Sequence, residues 1–222
     1  MQTTSLPGNS RVTAQQLRNY AILSTVVGLI LYGIFSFRIG DFQQTHRSGE
    51  DLRCYYSIAQ RIHAGEGYYQ AARQELQTRG YATDSVFNWR LPFLAILLGT
   101  LPSPEAGQVI VILLSFFSLW LWVDAATKRM SFARVALGVI PLAGSAVYSF
   151  IGIIFVMHEL WAGILISISL FAHGNGWRKL SLAAGIAALF IRELALPFVA
   201  VMFFSSLADR HRKDALAWLL GA

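Results

Sequence analysis

The sequence predicts an all-α protein, a polytopic bundle of transmembrane helices with one long extracytoplasmic loop. Three observations support this prediction. The mean hydropathy is +0.50, and charged residues make up only 14% of the 222 residues. Apolar runs long enough to cross a bilayer recur along the chain. Basic residues mostly flank those runs, as topology signals do, so the net charge of +6 indicates no nucleic-acid partner.

The apolar runs divide the chain. Residues 1–18 are polar and predict a cytoplasmic N-terminal segment, and residues 19–222 predict the transmembrane module. The first span covers residues 19–37, which is about 28 Å of helix, and residues 38–90 form the extracytoplasmic loop. The later apolar runs cover residues 91–101, 109–123, 132–150, 151–172, 180–191, 194–207 and 215–222.

The three lysines assign a side of the membrane to each connection. Lys128, Lys179 and Lys213 lie in short connections, and two crossings separate each lysine from the next. Positively charged connections stay in the cytoplasm, so the loop 38–90 is expected on the extracytoplasmic side. Two complete crossings between the loop and Lys128 would place that lysine outside. The scheme therefore requires that one of the two runs before Lys128 is re-entrant, or that the charge rule fails at Lys128.

The same topology places two charged dipeptides on the outer side. His158-Glu159 and Arg192-Glu193 interrupt apolar sequence, where an ionisable group at mid-bilayer costs about 2.5–3.5 kcal/mol on insertion scales. At outer turns they would lie on the same side as the loop 38–90. We therefore expect polar groups from three parts of the chain to converge on one face and bind substrate. The alternative for each dipeptide is a purely structural pair.

The loop contains signals for two short amphipathic helices. Ser48 and Asp51 have the spacing of a capping box, and apolar residues recur at helical spacing up to Ile62. Gly65 ends this helix, and a second helix is expected over about residues 69–79. Such a pair could lie along the membrane surface with its tyrosines toward the lipid.

Asp51 is the first candidate for a catalytic carboxylate. A hydroxyl group has a pKa far above neutral, so group transfer to a hydroxyl benefits from a carboxylate base within hydrogen-bond reach. Asp41, just beyond the first span, is the second candidate. The alternatives are that Asp51 only stabilises the start of its helix through the helix dipole and that Asp41 is a solvated interface residue.

Two arginines are the candidate anion contacts. A guanidinium group can form two parallel hydrogen bonds to phosphate oxygens, so Arg90 and Arg192 are expected to bind a phosphate, with Glu193 orienting Arg192. Arg90 lies in an aromatic and proline-containing entry to the next span, which as an alternative is only a membrane anchor. Cys54 is the one cysteine, and no metal-ligand spacing or glycine-rich phosphate loop is present. We expect neither a metal nor a cofactor.

Three motifs resemble a known enzyme superfamily. They are DLRCYYSIA at 51–59, the glycines and tyrosines at 65–69, and FNWRLP at 87–92. The chain resembles the GT-C superfamily of integral-membrane glycosyltransferases over about residues 20–210, and most closely the family 87 type that uses polyprenyl-phosphate-mannose. The family more often has Tyr-Pro-Pro at the third motif. Its members are typically longer, and the last apolar run stops in mid-helix, so we expect this chain to be part of a longer protein.

The resemblance implies an enzyme of the bacterial inner (plasma) membrane that crosses it several times. It would move a sugar, possibly mannose, from a polyprenyl-phosphate donor to a glycan, lipid or protein acceptor on the extracytoplasmic face. Asp51 would match the family's base, with Asp41 as the rival, and Arg192 would lie near the donor phosphate. Tyr55 and Tyr56 are candidate substrate contacts. The alternative is a non-catalytic membrane subunit or a transporter of lipid-linked glycans, although no internal repeat typical of transporters is visible.

Overall fold

The computed structural model describes residues 48–85, 88–129, 139, 142–144, 146–209 and 211–221. Every regular element within these ranges is helical, which confirms the all-α prediction. The predictions for the N-terminal segment, the first span and Asp41 lie outside the described residues. Most of the predicted span 132–150 also lies outside them.

The helices are labelled here in chain order. They are α1 (Ser48–His63), α2 (Tyr68–Thr78), α3 (Pro92–Thr100), α4 (Ala106–Arg129), α5 (His158–Gly174), α6 (Arg178–Ile191), α7 (Leu196–Ala208) and α8 (Arg212–Gly221). Short 3-10 turns precede two of them, Gly152–Val156 before α5 and Glu193–Ala195 before α7.

The two helices predicted in the polar loop are present as α1 and α2. In the turn between them Gly65 has a φ of 98°, a left-handed conformation that favours glycine. The facing sides of the two helices bury Cys54 and Ala72 in one apolar cluster. An ion pair of 3.3 Å between Arg61 of α1 and Glu75 of α2 also joins them. Together α1 and α2 form a hairpin that covers one part of the bundle.

The inner face of α1 packs on other helices. Gly99 of α3 lies directly beneath Ile62, because a Cβ at this glycine would meet Ile62 Cγ2 at 2.5 Å. The ring of Tyr56 lies edge-on to Phe155, with 6.1 Å between centroids. Tyr55 also packs against the main core cluster. The prediction of a helix here is confirmed. The tyrosines were expected to face the lipid, but both rings pack against other helices of the protein, where close contact between aromatic rings is favourable.

Helix α3 is too short to cross a bilayer. It has nine residues, which is about 14 Å of helix, less than half of the roughly 30 Å hydrocarbon core. Gly107 near the start of α4 lies against Leu98 of α3, so the two helices approach closely where a side chain is missing. Of the two apolar runs before Lys128, the first therefore lacks the length of a membrane span, and the second has it.

An antiparallel hairpin of α5 and α6 contributes to the main core cluster. Gly176, with a φ of 76°, lies in the short turn between them. Helix α5 begins at His158 and not at residue 151, where the apolar run predicted its start. The chain from Gly152 forms a 3-10 turn instead. Trp161 Nε1 donates to the Phe155 carbonyl at 2.6 Å and holds this turn on α5. The start of α5 and the end of α6 consequently lie at the same end of the bundle.

Helices α7 and α8 form a second hairpin, which packs on α6. Trp218 of α8 is buried in this contact, and its ring lies edge-on to Phe198 of α7 at 6.1 Å. Gly185 of α6 lies against the same indole, since a Cβ at this position would meet Trp218 Cη2 at 2.5 Å. The glycine therefore allows the close approach of α6 and α8.

Among the described residues, one helix is long and apolar enough to cross a membrane. It is Ala106–Val123 within α4, with a mean hydropathy of 2.0 and a length of about 27 Å. Helices α5, α6 and α7 have 17, 14 and 13 residues and do not meet the same length. The described part of the chain thus does not support the several crossings expected from hydropathy. The apolar run 151–172 is shortened by its 3-10 turn.

Exposed apolar side chains are distributed unevenly. Only 33% of the apolar segment of α4 is buried, and Val109, Leu113 and Trp120 are about 60% exposed. The exposed side chains of α1 and α2 are mostly polar, and Tyr69 is the one large exposed apolar residue described in them. The core helix of a water-soluble protein would have most of its apolar side chains buried by other parts of the protein, unlike α4. The molecule therefore has a polar hairpin on an apolar body.

We expect Gly185→Ala to lower the free energy of unfolding by about 1–3 kcal/mol, because its methyl group would enter space occupied by Trp218. Gly163→Ala on α5 is the matched control: nothing lies within 4 Å of its Cβ position, and alanine favours a helix by up to about 1 kcal/mol. Thermal unfolding followed by tryptophan fluorescence measures both. Equal Tm values for Gly185→Ala and the wild type would contradict the described packing.

Candidate functional site

Ionisable side chains from three parts of the chain meet at one end of the bundle. Arg90 precedes α3, His158 begins α5, and Arg192 follows the last residue of α6. The antiparallel course of α5 and α6 brings the latter two together, and each of the three influences its neighbours electrostatically. We name Arg90, His158, Glu159, Arg192 and Glu193 the polar cluster. The loop and both charged dipeptides thus meet at one end of the bundle, and the assignment of this end to the outer face stays a prediction.

Tyr55 connects α1 to the polar cluster. Arg90 Nε donates a hydrogen bond of 2.9 Å to the Tyr55 hydroxyl, and its guanidinium carbon lies 5.9 Å from the centroid of that ring. The ring of His158 lies edge-on to the ring of Tyr55, with 5.1 Å between centroids. Burial raises the pKa of Tyr55, although the positive charge of Arg90 lowers it. The hydroxyl therefore keeps its own hydrogen and can donate it.

Tyr68 and Trp89 fix the backbone that leads into α3. The Tyr68 hydroxyl donates to the carbonyl of Arg90, and burial raises the pKa of Tyr68 to about 12. Trp89 Nε1 donates to the Thr83 carbonyl at 3.0 Å. The sequence assigned no separate role to Tyr68. Its position beside the Gly67 helix start was visible, but its partner lies 22 residues away and no local pattern predicts it.

His158 is 3% exposed, and neither ring nitrogen has a hydrogen-bond partner among the described residues. Burial lowers the pKa of His158 to about 4, and the positive charges of Arg90 and Arg192 act in the same direction. The ring is therefore neutral at pH 7, with one nitrogen that donates and one that accepts. Buried polar nitrogens without partners are uncommon, which makes this ring a candidate for ligand contact.

The Arg192 side chain is 11% exposed and pairs with two glutamates. Glu159 lies at 3.0 Å and Glu193 at 3.4 Å, and both glutamate side chains are about half exposed. Arg192 Nε and Nη1 are buried and donate no hydrogen bond within the described residues, so the contact with Glu193 is purely electrostatic. The guanidinium group consequently has donors for a further acceptor such as a phosphate oxygen.

Asp51 lies at the edge of this arrangement. It is in the first turn of α1, one helical turn before Tyr55 and on the same face. Its exposed carboxylate accepts a hydrogen bond from the Tyr81 hydroxyl, and this bond raises the pKa of Tyr81 to about 12. The structure thus places Asp51 beside Tyr55, at the edge of the polar cluster. Its rival Asp41 lies outside the described residues.

Tyr56 contacts a different part of the molecule. Its hydroxyl donates to the carboxylate of Glu105, just before α4, and this bond lowers the pKa of Glu105. A residue next to Tyr55 on a helix points about 100° away from it, so only one of the two tyrosines can reach the cluster. The expected contact between Tyr56 and substrate is not supported by this placement. Tyr56 joins α1 to the start of α4.

A small cavity adjoins the cluster. Its lining includes Tyr55, Tyr68, Arg90 and His158, together with apolar residues of α2 and α3. It has about 20 Å³ of space for the centres of water-sized molecules, which corresponds to roughly one water. A sugar does not fit into this space. A substrate would therefore bind on the exposed side of the cluster, where the two glutamates reach solvent.

The chemistry available at the cluster is anion binding and proton transfer. Two guanidinium groups, a neutral imidazole and a protonated tyrosine hydroxyl lie together, with carboxylates at the exposed edge. The described residues contain no group of three or more His, Cys, Asp or Glu side chains that could hold a metal ion. The arrangement suits a phosphate ester and a hydroxyl that must lose its proton.

Comparisons with known protein families, with curated proteins and with solved structures find no match to this chain. The resemblance to GT-C glycosyltransferases therefore depends on the three motifs at 51–59, 65–69 and 87–92 alone and stays a prediction. The function is consequently inferred from the geometry and chemistry of the polar cluster. Of its residues, only Arg90 lies within one of the three motifs.

We expect the protein to lose stability as the pH falls from 6.5 to about 4. In this interval His158 binds a proton in the unfolded chain, at its ordinary pKa, but not in the folded chain, where its pKa is lower. The loss from this residue reaches about 3 kcal/mol at the acid end, at about 1.4 kcal/mol per pKa unit. His158→Phe keeps a ring against Tyr55 and removes this contribution. Chemical denaturation across the interval measures it, and identical pH slopes for both proteins would contradict it.

Proposed function

We propose that this protein is an integral-membrane glycosyltransferase that moves a sugar from a polyprenyl-phosphate donor to an extracytoplasmic acceptor. The observation that supports this best is the polar cluster at one end of an apolar helical body. Arg90 and Arg192 flank the neutral ring of His158 there, and Asp51 lies one helical turn from the tyrosine that joins them. The resemblance of the sequence motifs to GT-C enzymes points to the same reaction.

The donor phosphate would bind at the two arginines. A guanidinium group matches phosphate oxygens with two hydrogen bonds, and Arg192 has two buried N–H donors without a partner among the described residues. When the sugar–phosphate bond breaks, negative charge develops on the leaving lipid phosphate. Cations held in fixed positions stabilise that charge. The N–H of His158 would donate to the same phosphate or to a sugar hydroxyl.

Asp51 would act as the general base. Its carboxylate takes the proton from the acceptor hydroxyl while the acceptor oxygen forms a bond to the anomeric carbon. The bond from that carbon to the phosphate oxygen breaks, and the electron pair leaves with the polyprenyl phosphate, so the anomeric centre is inverted. Asp51 is exposed, which lets an acceptor approach from water, and the hydrogen bond from Tyr81 orients its carboxylate.

A polyprenyl donor also accounts for the apolar body. The segment in α4 meets the length and hydropathy of a membrane span, and α5, with 17 residues, is at the lower end of the range of roughly 17–25. Large apolar side chains such as Val201, Phe204 and Leu219 are about 60% exposed. We propose a multi-pass protein of the bacterial inner (plasma) membrane, with the polar cluster and the α1–α2 hairpin at the outer boundary.

We expect Asp51→Asn to lower turnover by about 10²–10⁴, because the amide keeps the shape of the side chain but cannot take a proton. Glu50→Gln is the matched control, since it removes an exposed carboxylate from the same helical turn. Arg192→Lys keeps the charge but loses the planar pair of donors and should raise the donor KM. Transfer from labelled polyprenyl-phosphate-mannose to acceptors in membranes that contain the full-length protein measures each variant.

The outcomes of this assay distinguish between Asp51 and Asp41 as the base, and between an enzyme and a non-catalytic protein. Normal turnover of Asp51→Asn with loss of activity in Asp41→Asn would assign the base to Asp41. Normal turnover of both variants would contradict the proposed mechanism. Binding of the donor without any transfer by the wild-type protein would favour the non-catalytic subunit or the transporter.

We expect α2 to face the extracytoplasmic side and the α5–α6 turn to face the cytoplasm, because Lys179 lies at that turn. Single cysteines at Gln77 and at Lys179, both exposed, test this in a Cys54→Ala background. A membrane-impermeant maleimide should label position 77 in intact cells, and position 179 only after permeabilisation. The opposite labelling pattern would contradict the proposed topology.

A further inference from the structure

An open depression lies beside α2, on the polar hairpin. Its volume is about 870 Å³, within the range of roughly 300–1,000 Å³ typical of ligand sites. It has room for a chain of sugar rings, unlike the cavity of about 20 Å³ that adjoins the polar cluster. We name it the α2 depression. The lining residues used below are Tyr69, Gln70, Arg73, Gln74, Asp84 and Trp89.

Two aromatic rings, those of Tyr69 and Trp89, line the α2 depression. Tyr69 is 70% exposed, although the exposed residues around it on α2 are polar. Its ring packs on Tyr68 at 5.1 Å and lies 6.2 Å from Trp89, tilted by 44°. The indole is held in turn by its hydrogen bond to Thr83. A sugar ring has one face of C–H groups that packs well on such an aromatic face.

The remaining lining residues are polar. Gln70 and Gln74 offer amides, which both donate and accept hydrogen bonds, as sugar hydroxyls require. The Gln74 amide oxygen accepts from Arg61, which fixes the amide plane. Arg73 and Asp84 add one positive and one negative charge. This balance favours a neutral ligand over a nucleic acid or a phosphate.

We propose that the α2 depression binds the carbohydrate portion of the acceptor, with the sugar stacked on Tyr69 and Trp89. As an acceptor site it rests on the proposed function, whereas saccharide binding itself does not. The amides and hydroxyl of the lining match a polyhydroxylated ligand, and its balanced charge favours one without net charge. The occupant is therefore a neutral oligosaccharide.

The position of Trp89 links this surface to the reaction site. Trp89 lines both the α2 depression and the cavity beside the polar cluster, and the next residue is Arg90. A sugar chain on the depression would thus extend one end toward Tyr55 and Asp51. The acceptor hydroxyl would arrive from the hairpin side while the donor phosphate is held by the arginines.

Binding of linear trisaccharides of mannose, glucose and N-acetylglucosamine to the detergent-solubilised full chain tests this proposal. Saturation-transfer difference NMR should detect at least one of the three. Tyr69→Ala should weaken it by about tenfold, because the stacking ring is lost, whereas Tyr69→Phe should bind like the wild type. Tyr148→Ala is the matched control, as it removes another exposed tyrosine ring that does not line the depression.

Three results would overturn the proposal. The first is that the folded wild type binds none of the trisaccharides. The second is that Tyr69→Ala binds a trisaccharide as tightly as the wild type does. The third is that this surface binds a peptide but no sugar. Retained transfer with an unchanged acceptor KM in Tyr69→Ala would refute the acceptor site but leave the transferase function intact. Saccharide binding that depends on Tyr69, in a protein with no transferase activity, would refute the proposed function and support the binding surface.

Discussion

The ion pair between Arg192 and Glu159 determines which end of the bundle can serve as a site. It joins the residue after α6 to the first turn of α5 at 3.0 Å, and the Arg192 side chain is 11% exposed. Loss of this partner would leave a mostly buried positive charge poorly compensated, so the ion pair holds the two helix ends together, although the half-exposed Glu159 makes its contribution smaller than that of a fully buried pair. Since α5 and α6 are otherwise mostly apolar, their charges can lie only at such ends.

The electrostatic balance of this end favours a ligand that replaces a weak contact. Glu159 holds Arg192 at hydrogen-bond distance, but Glu193 lies at 3.4 Å without a hydrogen bond and is half exposed. A phosphate could take the place of Glu193 at small cost, because that carboxylate can return to water. His158 does not compete for the anion with a charge of its own, since burial keeps its ring neutral.

Local sequence patterns predicted the α1–α2 hairpin and the meeting of the charged dipeptides, because both depend on spacing along the chain. They did not predict the 3-10 turn before α5, since an apolar 3-10 turn and an apolar helix have the same hydropathy. The turn depends on Gly152, with a φ of 42°, and on the indole of Trp161, which bonds to its last part. Hydropathy alone therefore overestimates the length of the helix in the run 151–172.

The roles within the cluster were harder to predict, because they depend on how α1 is rotated about its axis. Tyr55 and Tyr56 are adjacent and equivalent in the sequence, yet one contacts Arg90 and the other contacts Glu105. The contacts that decide this rotation, such as Ile62 on Gly99, join residues far apart in the chain. No spacing rule describes such a contact.

The rotation of α1 also determines how two unlike substrates could meet. In the proposed function a polyprenyl chain would be stable only in the apolar body and a sugar acceptor only in water, so the reaction would occur where both surfaces adjoin. Tyr55 lies near this boundary, with Asp51 one helical turn away and Arg90 bonded to its hydroxyl. Trp89 extends the polar side as far as the α2 depression. Helix α1 would therefore separate the lipid from water and leave one opening, at the cluster, where the donor and the acceptor reach each other.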